Sequence, residues 1–582
     1  MQIVFLSEMS DKVDGYFAFY DHDERYTNDA RCINVKEFLH DNLDQWLDDI
    51  HKSHSKIAKK FLKYTRWWWV TPLARLDLRP WGREPIFKPM LFARAILEWS
   101  DNINNAGKIY IIGQEPLVAT YLEEFDKTIT IQGIELKQYQ FLLIIIKKCK
   151  LAFASFIRIF LHAFHILKDN VLSGRPENRS KTIILFEMFS NDFSLEETYQ
   201  HYYGTLFSHV DQKNIGRCCI GMEKKKTKID LSSPCFYLLD YLSLKMFIKS
   251  IIRNIKLILI SFFFSFLNMH CFVGRRKSTI LWQSYFLICL EQMSCFQEIC
   301  SFEAMKAFLA EGHCKKIVYP YEEKGIEKAI LLATTAQKIQ TIGYLQHPAH
   351  RLALSFMDVH PPISLKPSKY AVCGSEYIRY LEQWAQKKKS LISVWGSEKT
   401  LQDEYKTGES LPHHLKILVL ISHPNEVSTF HSWLKSEVRL TVGTSYFVRN
   451  YKAGGLNKFS NQLDNLIMEF NCVQESNGSL LEDIDSCDVS IFCGTSAGLI
   501  AVNRGQLVFH VALDNFFKMN PCLDQLASML PCESAKQFAD RIDTIRDLDS
   551  DSINKLRQKQ YTFSRTVFSK IEHETIKNDI LC

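Results

Sequence analysis

Short runs rich in Val, Ile and Phe recur along this chain between longer segments of helical period, and that alternation constrains the fold more than any other feature. A continuous apolar run of four to six residues is what a strand buried on both faces requires, and parallel strands joined by crossover helices are buried in that way. Runs of this kind fall at 2–6, 108–112, 128–131, 182–187, 218–221, 279–282, 316–319 and 341–345. A second series falls at 370–373, 391–395, 416–421, 446–449, 471–474, 489–493 and 507–511. The fold class is α/β.

Between the two series, residues 357–368 (MDVHPPISLKPS) are proline-rich and lack periodicity, which reads as an interdomain linker. At 582 residues the chain exceeds what one hydrophobic core supports, so more than one domain is required. The expectation is two Rossmann-like domains facing across a cleft, 1–360 and 369–582, with a surface loop at 396–414 and a terminal helix opening within 547–560. Lys and Arg outnumber Asp and Glu by 71 to 65, too small an excess for a nucleic-acid binder of this length. Residues 1–7 read as a strand rather than a secretory core, and the 17 scattered cysteines then read as reduced thiols of a cytoplasmic protein.

Two stretches, 141–167 and 257–273, are the most hydrophobic and lead to the expectation of long apolar helices in the N-terminal half. The first contains Lys147, Lys148, Lys150 and Arg158, each costing roughly 2.5 to 3.5 kcal/mol near a bilayer centre, so it does not span. The second has basic residues on both sides, Lys249, Arg253 and Lys256 before it and Arg275, Arg276 and Lys277 after it. Both read either as interfacial helices on the inner leaflet or as crossover helices against a sheet.

Candidate chemistry gathers behind predicted strand ends, where open α/β sheets keep their ligands. Glu322 and Glu323 follow the 316–319 run and offer a carboxylate for proton abstraction, or a first-turn acid complementing the next helix. His347, with His350 and Arg351, follows the 341–345 run. Behind 489–493 stands Gly494, Thr495, Ser496, Ala497, Gly498, a turn whose N–H groups and hydroxyls suit a phosphate or a plain helix start. His423 and Asn425 follow 416–421, and Arg449 ends 446–449, where its guanidinium could meet an anionic donor. Trp67, Trp68 and Trp69 could stack on sugar or belong to a core. The chain has no GxGxxG behind a strand, no P-loop and no HExxH, and its cysteines lack paired CxxC spacing; two DxD spacings, at 21–23 and 483–485, fall in a loop and a helical segment. No metal is expected.

Taken together, WWWVTPLARLDLRPWGREPIFKPMLFARAILEW, TIILFEMFSNDF with HYYGTLF, VYPYEEKGIEKAIL with GYLQHPAH, and CDVSIFCGTSAGLIAVNRGQLVFHV make the chain resemble bacterial surface carbohydrate biosynthesis proteins. This is the O-antigen and capsule group with GT-B-like glycosyltransferase architecture. The resemblance implies transfer from a nucleotide-activated sugar to a glycan or lipid-linked acceptor, without cofactor or bound metal, in the cytoplasm or at the inner face of the inner membrane. By the same analogy Glu322 or Glu323, ahead of Gly325, supplies the base, and Thr495 and Ser496 take the donor phosphate. The chain departs from the group in having Arg449-Asn450-Tyr451 where a His-Pro is common, and Lys324 between the acidic pair and its glycine. A CDP-polyol phosphotransferase and a silent scaffold of the polysaccharide machinery fit the same motifs.

Overall fold

The computed structural model describes residues 181–581 with breaks, the longest at 221–234, 279–294, 347–364, 399–410 and 514–529. Ahead of residue 181 it describes 2–6, 16–19, 32–67, 108–112 and 130–132, with parts of 91–98 and 149–164.

The first sheet holds β1 (Gln2–Leu6), β2 (Tyr16–Phe19), β3 (Cys32–Asn34), β4 (Lys108–Ile112) and β5 (Thr130–Gln132), all parallel in the order β3-β2-β4-β1-β5. The second sheet has seven strands. Its first three are β6 (Thr182–Phe186), β7 (Ile215–Cys219) and β8 (Cys235–Tyr237). A hairpin of β9 (Cys271–Val273) and β10 (Arg276–Ser278) intervenes, and β11 (Lys316–Pro320), β12 (Gln340–Leu345), β13 (Lys369–Val372) and β14 (Ile392–Val394) complete the sheet. Its order is β14-β13-β12-β11-β6-β7-β8, parallel throughout. From β6 the chain winds outward one way, then returns and winds the other way from β11. This is the Rossmann order, with its switch point between β6 and β11.

The third sheet repeats the plan with β15 (Leu415–Leu420), β16 (Thr444–Arg449), β17 (Val473–Glu475), β18 (Val489–Phe492) and β19 (Leu507–His510). Its parallel order is β17-β16-β15-β18-β19, and the switch point lies between β15 and β18. The apolar runs are strands for the expected reason: every residue of β6, β11, β18 and β19 is buried.

The α/β reading therefore holds, with three corrections. The first 360 residues carry two parallel sheets rather than one. The second sheet also runs across the proline-rich stretch: Ile342 of β12 is in register with Lys369 of β13, so the change of sheet comes only between Val394 and Leu415. A break between neighbouring strands and a break between domains have the same composition, since both need residues that neither donate to a ladder nor pack. The third correction concerns the long apolar helices. Residues 257–273 are split between the end of helix Leu244–Phe264 and β9, and among the described residues no helix is long and apolar enough to cross a membrane. The described residues between 149 and 164 are helical, while 279–282 lies outside the described residues.

The C-terminus ties the last two sheets together. Helix Ser550–Val567, capped by the Asp549 side chain accepting from Ser552 N at 2.7 Å, lies on the third sheet. Its buried Gln560 accepts from Val508 N (3.0 Å) and donates to Val508 O (2.7 Å), as an added strand would. The chain then crosses to the second sheet. Ser569 N donates to Cys373 O (2.8 Å), Ser397 N to Ser569 O (3.0 Å) and Glu572 N to Trp395 O (3.0 Å). Gly374 and Gly396 permit this crossing, because a Cβ on either would stand 2.2 Å from Val567 O or 2.1 Å from Lys570 O. Helix His573–Leu581 ends the chain, where Asp579 receives the Trp395 indole N–H at 2.8 Å and the Lys369 ammonium.

Candidate functional site

At the switch point of the second sheet, Glu187 follows β6 directly and residues 321–324 follow β11. Tyr321 N still donates to Tyr344 O at 2.8 Å, extending the ladder by one residue before the chain turns into helix Gly325–Thr335. The turn is shaped by Glu327, a buried carboxylate on the first helical turn. It accepts from Glu322 N at 3.2 Å and Glu323 N at 3.0 Å, taking up N–H groups that the helix start leaves unpaired. Burial, and then the Glu322 carboxylate, push Glu327 well above the usual carboxyl range.

This turn sends two adjacent acids opposite ways. Glu323 has a φ of 61°, a left-handed conformation that costs a non-glycine residue roughly 1–2 kcal/mol. Its side chain turns into the protein and is 3% exposed, paired with Lys328 and, at 3.3 Å, with Lys366. Burial alone would raise its carboxyl, but Lys328 and Lys366 outweigh burial and bring it down to about 2. Lys328 also donates to Leu365 O at 3.1 Å, tying helix Gly325–Thr335 to the chain entering β13.

Glu322 turns outward. Its Oε2 is 2.9 Å from Lys324 Nζ, and the same ammonium is 2.8 Å from Glu187 Oε2, so one lysine bridges the acids at the ends of the two switch-point strands. All three side chains are partly exposed, at 31%, 28% and 26% for Glu187, Lys324 and Glu322. Burial would lower the lysine, but Glu322 and then Glu187 hold it well above its ordinary value, firmly protonated. Gln346, behind β12, adds a donor 3.4 Å from Glu322 Oε1. Tyr202, from helix Leu195–Tyr203, stands near enough to feel Lys324, Glu322 and Glu187, although burial is the main reason its hydroxyl is raised. The switch point thus presents two carboxylates sharing one cation, a constellation able to hold hydroxyl groups and accept a proton from one.

Sequence reasoning missed Glu187 and Tyr202 as members of this group. The signal was present, because the predicted strand 182–187 and the HYYGTLF run are the segments that supply them. His347 lies outside the described residues, and so does His423.

At the switch point of the third sheet, β18 runs into residues 493–498 and helix Ala497–Asn503. Gly494, Thr495, Ser496 and Ala497 are partly exposed there, and the Thr495 hydroxyl accepts from Ala497 N at 3.2 Å. Gly498 is buried: a Cβ on it would lie 2.3 Å from the Phe492 ring, so this glycine is required for packing of the helix on the strand it follows. Arg449 sits at the end of β16 with its guanidinium on Asp483 and, at 2.7 Å, on Gly478 O. Asp485, the other half of the DxD spacing, is held by Arg504, whose Nε is 2.9 Å away. Both carboxylates of that spacing face guanidinium groups. The first spacing, 21–23, lies outside the described residues. Among the described residues no group of three or more His, Cys, Asp or Glu is arranged to hold a metal ion. Trp67 is a core residue, 5.0 Å edge-on from Phe302, while Trp68 and Trp69 lie outside the described residues.

No family model matches the chain, and no curated protein matches it in sequence. Among solved structures it is similar to a glycosyltransferase from Rickettsia africae, at 9% identity and a TM-score of 0.39 over 70% of this chain and 97% of that one. It is also similar to Anabaena HepE in complex with UDP and glucose, at 11% identity and a TM-score of 0.39 over 69% and 98% of the two chains. A third likeness is to the lipopolysaccharide outer core galactosyltransferase WaaB, at 10% identity and a TM-score of 0.39 over 69% and 99%. Likenesses this loose bring no residue's role across.

Proposed function

We propose that the protein is a glycosyltransferase of GT-B type that moves a sugar from a nucleotide-activated donor to a hydroxyl of a glycan or lipid-linked acceptor in surface polysaccharide biosynthesis. The observation that carries the reading is the Glu187–Lys324–Glu322 bridge at the switch point of one Rossmann-order sheet, with a hydroxyl-bearing turn at the switch point of a second. Ligands of open α/β sheets bind in such crevices, and two of them supply an acceptor side and a donor side.

In this reading Glu322 takes the proton of the acceptor hydroxyl, and Glu323 is structural because its charge is committed to Lys328 and Lys366. The freed oxygen forms a bond to the anomeric carbon as the bond from that carbon to the donor phosphate breaks, and the nucleotide leaves with the electron pair. Lys324 and Glu187 position the acceptor and the base. Thr495, Ser496 and the N–H groups of the 493–498 turn receive the phosphate charge. No metal is assigned to the departing phosphate, since Asp483 and Asp485 are occupied by arginines. In this reading the protein works in the cytoplasm or at the inner face of the inner membrane.

A thermal-shift screen of CMP, CDP, UDP, GDP and their sugars identifies the donor, because a ligand present at 100 times its Kd stabilises by about 2.7 kcal/mol. With that donor and an acceptor glycan, Glu322→Gln is expected to cut transfer at least 100-fold while leaving the nucleotide-induced shift in place. Failure of every nucleotide to raise the melting temperature, or full transfer by Glu322→Gln, defeats the reading.

A further inference from the structure

The helix Leu244–Phe264 is apolar on two sides. One side, with Phe247, Asn254, Leu257 and Ile258, is buried. That side is anchored to helix Phe296–Leu309 by Arg253, which pairs with the buried Glu303 and lies over the Phe302 and Trp67 rings. The other side carries Leu244, Ile248, Ile252, Leu259 and Phe263, exposed at 55%, 49%, 61%, 43% and 66%. At about 100° per residue these five fall within an arc of about 100°, forming one stripe about 28 Å long. Lys245, Lys256 and Lys249 are exposed along one border of that stripe, within about 40° of its edge.

The helix contains four basic residues and no acidic one. The Lys249 ammonium is lowered by Arg253 first, then by its partial burial, then by Lys306, Arg66 and Lys245, so cations from three segments crowd this end of the helix. Glu303 offsets Arg253 and, at 3.8 Å, Lys249, but two copies pairing through the stripe would still bring Lys245 and Lys256 of each together without an anion on either helix. An apolar stripe with a lysine border fits instead a surface that is anionic outside and apolar just beneath. We infer that this helix lies in the plane of an anionic phospholipid leaflet, its stripe among the acyl chains and Lys245 and Lys256 at the headgroups. This docking does not depend on the glycosyltransferase reading.

The test is flotation of the full chain with vesicles of phosphatidylcholine alone and with phosphatidylserine added, at low and high salt, together with light scattering of the free protein. Binding is expected only with phosphatidylserine, weakening at high salt. Lys245→Gln and Lys256→Gln are each expected to weaken it about fivefold, and Ile252→Glu to abolish it. Because all three side chains are exposed, the circular dichroism spectrum and melting temperature stay at wild-type values, and Met468→Ser, at an exposed methionine on helix Ser460–Glu469, leaves binding unchanged. The inference falls if the folded chain ignores phosphatidylserine vesicles at low salt, or if Ile252→Glu binds as well as wild type. It also falls if the free protein is a dimer that Ile252→Glu converts to monomer.

Discussion

Replacing Glu323 with glutamine removes a carboxylate from a site where Lys328 is 6% and Lys366 15% exposed. The magnitude follows from the shift itself. A carboxyl drawn from 4.5 to about 2 by its folded surroundings reports about 3.5 kcal/mol of preferential stabilisation, at about 1.4 kcal/mol per tenfold. Breaking a buried pair by removing one partner costs about 3–5 kcal/mol, which agrees. In a cooperative unit of about 150–250 residues, about 3.5 kcal/mol lowers the melting temperature by roughly 7–14 °C. Glu322→Gln is the internal control, since Glu322 and Lys324 are a quarter exposed and such a pair contributes about 0–1 kcal/mol. The assay is calorimetry of both variants at neutral pH, with Glu323→Gln/Lys328→Met as a third that recovers part of the loss by removing the stranded charge. If Glu323→Gln melts with the wild type, or Glu322→Gln falls as far as Glu323→Gln, the division of labour between the two neighbours is wrong. The pH dependence carries a sign as well. The folded value of Glu323 is depressed, so its contribution is complete above the unfolded value of 4.5 and is lost as pH falls towards 2. The gap between wild type and Glu323→Gln is therefore expected to narrow over that window. Glu327 is raised and runs the other way, mainly through burial and Glu322, which both proteins keep, and secondarily through Glu323, which the variant removes.

Three further outcomes are expected. Gly498→Ala places a methyl group 2.3 Å from the buried Phe492 ring and is expected to cost about 1–3 kcal/mol by urea denaturation, with Gly498→Ala/Phe492→Leu recovering part of it. Asp579→Ala strips the Trp395 indole and Lys369 of their acceptor, so limited proteolysis should release the last helix, His573–Leu581, faster than in wild type, with a loss of about 1–3 kcal/mol. Arg449→Ala and Asp483→Asn are both expected to destabilise, with the double variant little worse than Arg449→Ala alone, since each deletes the same ion pair and Arg449→Ala removes the bond to Gly478 O as well. A fully additive double variant would refute the pairing.

The sequence determined a good deal of this. Strand positions were legible because a strand buried on both faces leaves an unbroken apolar run, and β6, β11, β12, β15, β18 and β19 fall where such runs stand. The helix Ser550–Val567 was legible too, from the polar stretch 547–560, but it is followed by the helix His573–Leu581, which the sequence reading did not separate from it. Both signals are local. Strand order is not, and only the tertiary structure joined β12 to β13 across the prolines of 357–368 or set β6, from residue 182, beside β11, from residue 316. Glu322 and Glu323 carry the same group one residue apart. Their fates diverge through a left-handed φ at one of them, through Lys366 reaching in from 43 residues further along the chain than Glu323, and through Glu187, which approaches Lys324 from the neighbouring strand. Charge acts through space and burial, so which acid faces solvent and which is committed to the core was decided when the sheet closed.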